Sequence, residues 1–201
     1  MFMPRVVRVS VFISALIKCA CVFVVVKAQS QASFFLQNSS PVDGVRAPVY
    51  DWTGALLWGS DWRIELYGGA TGSSLSPAVQ FGTTQEYLAQ LDAPGYFMAR
   101  PPDGDLVISS VPGYGWAWLQ VKVWDVQLGA TYEQALVRGQ GGYGQSSVFY
   151  AQGGYPGGTL PSIPLALIGL TSFSVLQPVP EPGTWALLAV GLGGLVWCRR
   201  R

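Results

Sequence analysis

Glycine and proline punctuate this chain so densely that long helices have almost nowhere to form. The 25 glycines and 14 prolines among 201 residues leave short intervals, and the intervals alternate in polarity. Trp62-Arg63-Ile64-Glu65-Leu66-Tyr67 places Trp62, Ile64 and Leu66 on one side and Arg63 and Glu65 on the other, the period of two of a half-buried antiparallel strand. The longest such interval, 115–125, sets Ala117, Leu119, Val121 and Val123 against Trp116, Trp118, Gln120, Lys122 and Trp124. We assign the aliphatic side to the core, which puts the three tryptophans on the outer side; a slip of one residue would bury them instead. Further strands are expected at 33–37, 49–50, 95–100, 106–110, 147–152 and 172–176. Only 131–136 reads as a helix, with Thr131 as N-cap and Gln134 three residues on.

Turns such as Pro-Pro-Asp-Gly and Pro-Gly-Tyr-Gly separate these strands, and no crossover helix of the length a parallel sheet needs is visible. The expected class is therefore all-β, an antiparallel β-sandwich or jelly roll. Segments 139–144 and 152–164 are rich enough in glycine and proline to read as irregular loops. There is no internal repeat, and no regular Thr-x-Thr array of the kind an ice-binding solenoid would carry.

The two ends are different in kind. Arg5 and Arg8 precede an apolar stretch, 9–26, and Val26-Lys27-Ala28 offers small residues where a signal peptidase reads, so 1–28 is expected to be a signal peptide cut after Ala28. Lys18 interrupts the stretch, and an uncut N-terminal anchor is the alternative; Lys18 before Cys19 also argues against lipoprotein acylation. At the other end Pro178-Val179-Pro180-Glu181-Pro182-Gly183 precedes a charge-free run from 184 to 198, closed by Arg199-Arg200-Arg201. As a transmembrane helix, that run would span about 22 Å at ~1.5 Å per residue, short of the ~30 Å hydrocarbon core. Snorkelling arginines ease the mismatch, and the basic flank would stay on the cytoplasmic side. The domain between, 29–177, would then lie outside the cell.

Pro180-Glu181-Pro182, a short apolar span and a terminal arginine cluster, in that order, resemble the PEP-CTERM sorting signal of Gram-negative, exopolysaccharide-producing bacteria. Such tails are also catalogued as the ice-binding protein C-terminal domain, a label for the tail and not an activity. The resemblance implies that an exosortase-type enzyme recognises Pro180, Glu181 and Pro182. It also implies that Arg199, Arg200 and Arg201 act as the cytoplasmic stop, and that the protein passes from transient membrane attachment to the cell surface or extracellular matrix. The plainer alternative is a single-pass anchor in which Pro-Glu-Pro only stiffens the juxtamembrane chain. Gly193-Gly194 would suit a related glycine-glycine tail, but they fall inside the span. More weakly, Ala47–Asp51, Ala89–Phe97, Leu119–Asp125, Thr131–Ala135 and Gly169–Ser174 are similar to exported domains that precede such tails, and this likeness brings no activity with it.

Composition then removes chemistries from 29–177. It contains no cysteine and no histidine, which excludes disulfides, thiolate or imidazole zinc sites, cysteine nucleophiles and a histidine-based serine triad. Ten acidic residues face Arg46, Arg63, Arg100, Lys122 and Arg138, a net −5 that argues against a nucleic-acid partner. One hydrophobic core is expected for about 150 residues. No cofactor and no metal are expected; Asp103 and Asp105 on their turn read as solvated before they read as calcium ligands. Carboxylate pairs such as Asp61/Glu65 or Asp103/Asp105 could serve glycoside hydrolysis, and nothing in the spacing singles one out. Glu133 reads as a structural partner for a nearby strand. Trp116, Trp118 and Trp124 are the candidate sugar contacts. The expected function is a non-enzymatic surface or matrix protein, with an exopolysaccharide-binding module as the alternative and a small carboxylate-dependent hydrolase third.

Overall fold

The computed structural model describes residues 31–99, 105–155 and 165–177. The expected signal peptide, Arg100, Asp103, much of the 152–164 loop, the span at 184–198 and the sorting residues 180–182 and 199–201 lie outside the described residues. Among the described residues no helix is long and apolar enough to cross a membrane. The chain runs through β1 (Gln31–Phe35), β2 (Ser39–Ser40), β3 (Val45–Arg46), β4 (Val49–Tyr50), β5 (Trp62–Gly69), β6 (Ser76–Pro77) and β7 (Val79–Gln80). It continues through β8 (Leu91–Ala93), β9 (Tyr96–Phe97), β10 (Asp105–Pro112) and β11 (Trp116–Asp125). A short helix, α1 (Tyr132–Arg138), precedes β12 (Tyr143–Gln145), β13 (Phe149–Gln152) and β14 (Phe173–Ser174).

The fold is all-β with antiparallel pairing in its main sheets. One sheet has three strands in the order β1-β10-β7; the other has five, β12-β11-β5-β6, with β13 continuing along the same edge of β11 as β12. The hub is β11, paired with β5 from Trp118↔Gly69 to Asp125↔Trp62. Among the described residues the small β14/β4 pair is parallel, Phe173 against Val49, as is the isolated bridge between Phe34 and Leu165.

Alternation in β11 produces the core. Ala117, Leu119, Val121 and Val123 are all fully buried, as are Ile64 and Leu66 of β5. They share one hydrophobic cluster with Phe34 of β1 and Leu106 and Ile108 of β10. Gly68 is what lets the two sheets meet there: a Cβ at this position would lie 2.4 Å from the Ile108 side chain. Burial of each large aliphatic side chain contributes roughly 1.5–3 kcal/mol.

Four expectations need correction. β5 is not half-buried, because Glu65 and Tyr67 on its second side are only 2% and 4% exposed. Segment 139–144 is not wholly irregular: Tyr143–Gln145 pairs with Lys122–Trp124. The glycine that suggested a loop is there for close approach, since a Cβ on Gly144 would come within 2.7 Å of the Ser174 carbonyl oxygen. The core is also not single, as Trp124, Tyr132 and Ala135 form a second small cluster. Of the strand expected at 95–100, Tyr96–Phe97 forms β9, while Met98 makes an isolated bridge to Gln37 and its N–H donates to the Asp92 carboxylate at 2.8 Å.

The helix begins as its sequence indicates. Thr131 Oγ1 accepts from the Gln134 N–H at 3.3 Å, and the Gln134 side chain reaches back to accept from the Ala130 N–H at 2.8 Å, so orphan amides at the first turn are satisfied. It ends at Gly139, whose φ of 65° is the left-handed conformation that suits glycine at this position.

Candidate functional site

The side of β11 that faces away from the main core is divided across its length. Toward its start, Trp116 and Trp118 stand 52% and 37% exposed. Strand β13 brings Tyr150 directly opposite Trp118, and Gln152 opposite Trp116. Tyr150, 49% exposed, stacks on Trp116 with ring centroids 5.2 Å apart and planes 21° off parallel. It meets Trp118 at 4.9 Å with a 41° tilt. A second stack, Tyr114 on Tyr155 at 5.4 Å, lies beyond. Tyr114 has φ 58°, costly for a residue with a Cβ. Its N–H donates to the Gly154 carbonyl at 3.1 Å and its carbonyl accepts from the Gln152 amide at 3.2 Å, which hold the turn in place. Beside these rings is a pocket of 140 Å³ lined by Trp116, Tyr150, Ala151, Gln152, Leu165 and Ile168.

Toward its end the same side of β11 is covered. Trp124, expected among the exposed sugar contacts, is fully buried. Its indole N–H donates to the Gly129 carbonyl at 3.1 Å, and its ring meets Tyr132 of α1 edge-on at 6.4 Å. The face was assigned correctly; what alternation could not give is the helix that folds back over it. Under that helix lies a polar cluster. Glu133 Oε1 accepts from Lys122 Nζ at 3.0 Å and from the Tyr67 hydroxyl at 2.9 Å, so Glu133 is the structural partner the sequence suggested. Lys122 Nζ sits 3.5 Å from the centroid of the Tyr67 ring, a cation–π contact.

Glu65 is the outlier of this cluster. Burial pushes its carboxyl up to about 7, repulsion from Glu86 adds to this, and hydrogen bonding with Tyr67 works against it. Its Oε1 has no hydrogen-bond partner. For Glu133, burial acts to raise the carboxyl, but hydrogen bonds from Lys122, its own backbone and Tyr67 hold it below the ordinary range. Tyr67 is raised by burial and then by the charge of Glu65, and burial takes Tyr132 up to about 12. Two carboxyls driven apart in this way can divide acid and base roles in an enzyme. Here Glu65 is 2% exposed, its carboxyl closed off from solvent.

Of the other sequence candidates, Asp105 opens β10 with its carboxyl raised by burial, while its expected partner Asp103 lies outside the described residues. Among the described residues no three histidine, cysteine or acidic side chains gather to hold a metal. Trp116 and Trp118 are both exposed on the outer side of β11, and each ring contacts Tyr150. Sequence reasoning missed Tyr150, although the alternation of Phe149, Tyr150, Ala151 and Gln152 as buried, exposed, buried, exposed was there to be read.

Comparison with known proteins concerns the tail. Residues 178–201 match the family model of the PEP-CTERM protein-sorting motif. The chain carries a PEP-CTERM sorting signal. This signal implies export and membrane-associated sorting by an exosortase-type enzyme, and it contains the Pro180-Glu181-Pro182 and Arg199-Arg200-Arg201 groups singled out above. No curated protein and no solved structure matches the chain.

Proposed function

We propose that the chain is an exported, non-enzymatic protein of the cell surface or extracellular matrix of a Gram-negative bacterium. On this reading 1–28 is removed as a signal peptide and 29–177 is displayed as a sandwich of the two sheets. The tail 178–201 is held in the membrane by the span at 184–198 until an exosortase processes it. The match of 178–201 to the sorting motif carries the proposal; the absence of cysteine and histidine from 29–177 and the inaccessibility of Glu65 support its non-enzymatic part. The test is the mass of the mature protein in a host that has the exosortase. Wild type should lose its tail, whereas Glu181→Ala and a chain lacking Arg199–Arg201 should accumulate unprocessed. Normal maturation of both variants would sink the sorting claim.

A second reading, a carbohydrate-binding module for exopolysaccharide, is favoured by one observation. Trp116, Tyr150 and Trp118 form a continuous, half-exposed row of rings, large apolar area with little conformational entropy to lose on binding. Retention of the protein on immobilised extracellular polysaccharide would support it, and indifference across a broad panel would count against it.

A further inference from the structure

We infer that the pocket between Trp116 and Ile168 seats one ring of a neutral polysaccharide, with Trp116 as the stacking surface and Trp118 as its support. This rests on the carbohydrate-binding reading above and goes further, naming the subsite and the charge class of the polymer. The pocket, at 140 Å³, is well below the roughly 300 Å³ at which drug-sized sites begin, so it suits a single ring of a longer chain. A pyranose presents an apolar C–H face and a rim of hydroxyls, and the pocket offers the complement. Trp116, Leu165 and Ile168 are 52%, 36% and 54% exposed, an apolar lining open to solvent. The Gln152 amide nitrogen is committed to the Tyr114 carbonyl, which orients its carbonyl oxygen as an acceptor for a hydroxyl.

The two tryptophans are not equivalent. Trp118 is flanked by Tyr150 at 4.9 Å and by Gly72, where an added methyl would already touch the indole at 3.5 Å. It braces Tyr150, which in turn braces Trp116. Charge selects the polymer. The exported part is net −5, and among the described residues lining the pocket none carries a charge. An anionic chain would meet repulsion without a fixed counter-charge, whereas a neutral one loses nothing.

The experiment is affinity electrophoresis of the full-length protein in detergent, with hydroxyethyl cellulose and a galactomannan as neutral polymers and alginate as the anionic one. Wild type should be retarded by at least one neutral polymer and not by alginate, with little change between low and high salt. Trp116→Ala and Ile168→Asp should weaken retardation by roughly tenfold or more, Trp116→Phe should keep most of it, and Trp118→Ala should lose less than Trp116→Ala. Since Ile168 is more than half exposed, Ile168→Asp tests the pocket without threatening the fold. Retardation by alginate that fades with salt would overturn the neutral class and leave carbohydrate binding standing. Binding that survives both Trp116→Ala and Ile168→Asp would overturn the subsite alone. No retardation by any polymer would overturn both readings. A concentration-dependent dimer abolished by Ile168→Asp would give the face to a second copy of the chain and overturn the proposal.

Discussion

The two ends of β11 present the same kind of side chain to opposite fates. Trp116 and Trp124 project from the same side of one strand, yet one is half-exposed and the other fully buried. The difference does not come from the strand. It comes from the segment after it, where a 3₁₀ turn at Val126–Leu128 and the helix α1 fold back over the last residues of β11, while Trp116 and Trp118 near its start meet the side of Tyr150 and stay half-exposed. A sheet with one side in the core leaves the other free for use. Here part of that other side is spent on a second small core with a buried carboxyl, and the remainder is left as bare aromatic surface.

The largest test of this contrast is to remove one tryptophan from each end. Trp124→Ala deletes a fully buried ring and strands the Gly129 carbonyl that its N–H satisfied, so it should cost about 3–5 kcal/mol in denaturant unfolding. Trp116→Ala removes a side chain already half in water and should cost under about 1 kcal/mol. Equal midpoints for the two variants would mean that the outer side of β11 is one environment.

The next effect is a pH dependence confined to the covered end. In the unfolded chain Glu65 releases its proton near its ordinary 4.5, whereas the folded protein holds it to about 7. Between those values the unfolded state binds fewer protons, so the Glu65 contribution to stability falls as pH rises through this window and is level above it. The full loss is at most about 3.5 kcal/mol, at ~1.4 kcal/mol for each pH unit separating the two values. Glu133, with its lowered carboxyl, acts in the opposite sense, adding stability above its unfolded value that is lost as pH falls through its folded one. Comparing wild type with Glu65→Gln isolates the first effect. The variant should be the more stable at about pH 8, by roughly 2 kcal/mol, and the two should converge toward about pH 4. A gap that does not change with pH would show that Glu65 titrates in the fold as it does in the unfolded chain.

What could be read in advance follows from which interactions are local. The alternation of β11 and the Thr131/Gln134 cap are written in adjacent residues, and both were legible, as was the tail, whose motif is linear. The burial of Trp124 depends on α1 closing over it. The pairing of β12 depends on Gly144 lying against Ser174, and the burial of Glu65 depends on neighbours distant in the sequence, among them Lys122 opposite it in β11. None of these leaves a period in the sequence, because each is decided by what arrives from elsewhere in the chain. The aromatic row is an intermediate case: Trp116 and Trp118 were visible on one strand, but Tyr150 joins them only through the β11/β13 register.

The smallest effect tests whether the two ends are separate units. Helix α1 has seven residues, too few to persist in water without tertiary support, and its first turn depends on the Thr131 hydroxyl. Thr131→Ala should cost about 1 kcal/mol. If the helix is a local cover, that loss should appear as faster amide exchange in α1 and a more solvated Trp124, while the ring stacks around Tyr150 keep their spectroscopic signature. The bare end is held instead by the β11/β13 register and by the hydrogen bonds from Tyr114 and Gln152, none of which involves α1. A disturbance of Trp116 and Trp118 as large as that of Trp124 would mean that the cap supports the whole outer side of β11, and the division between its ends would not hold.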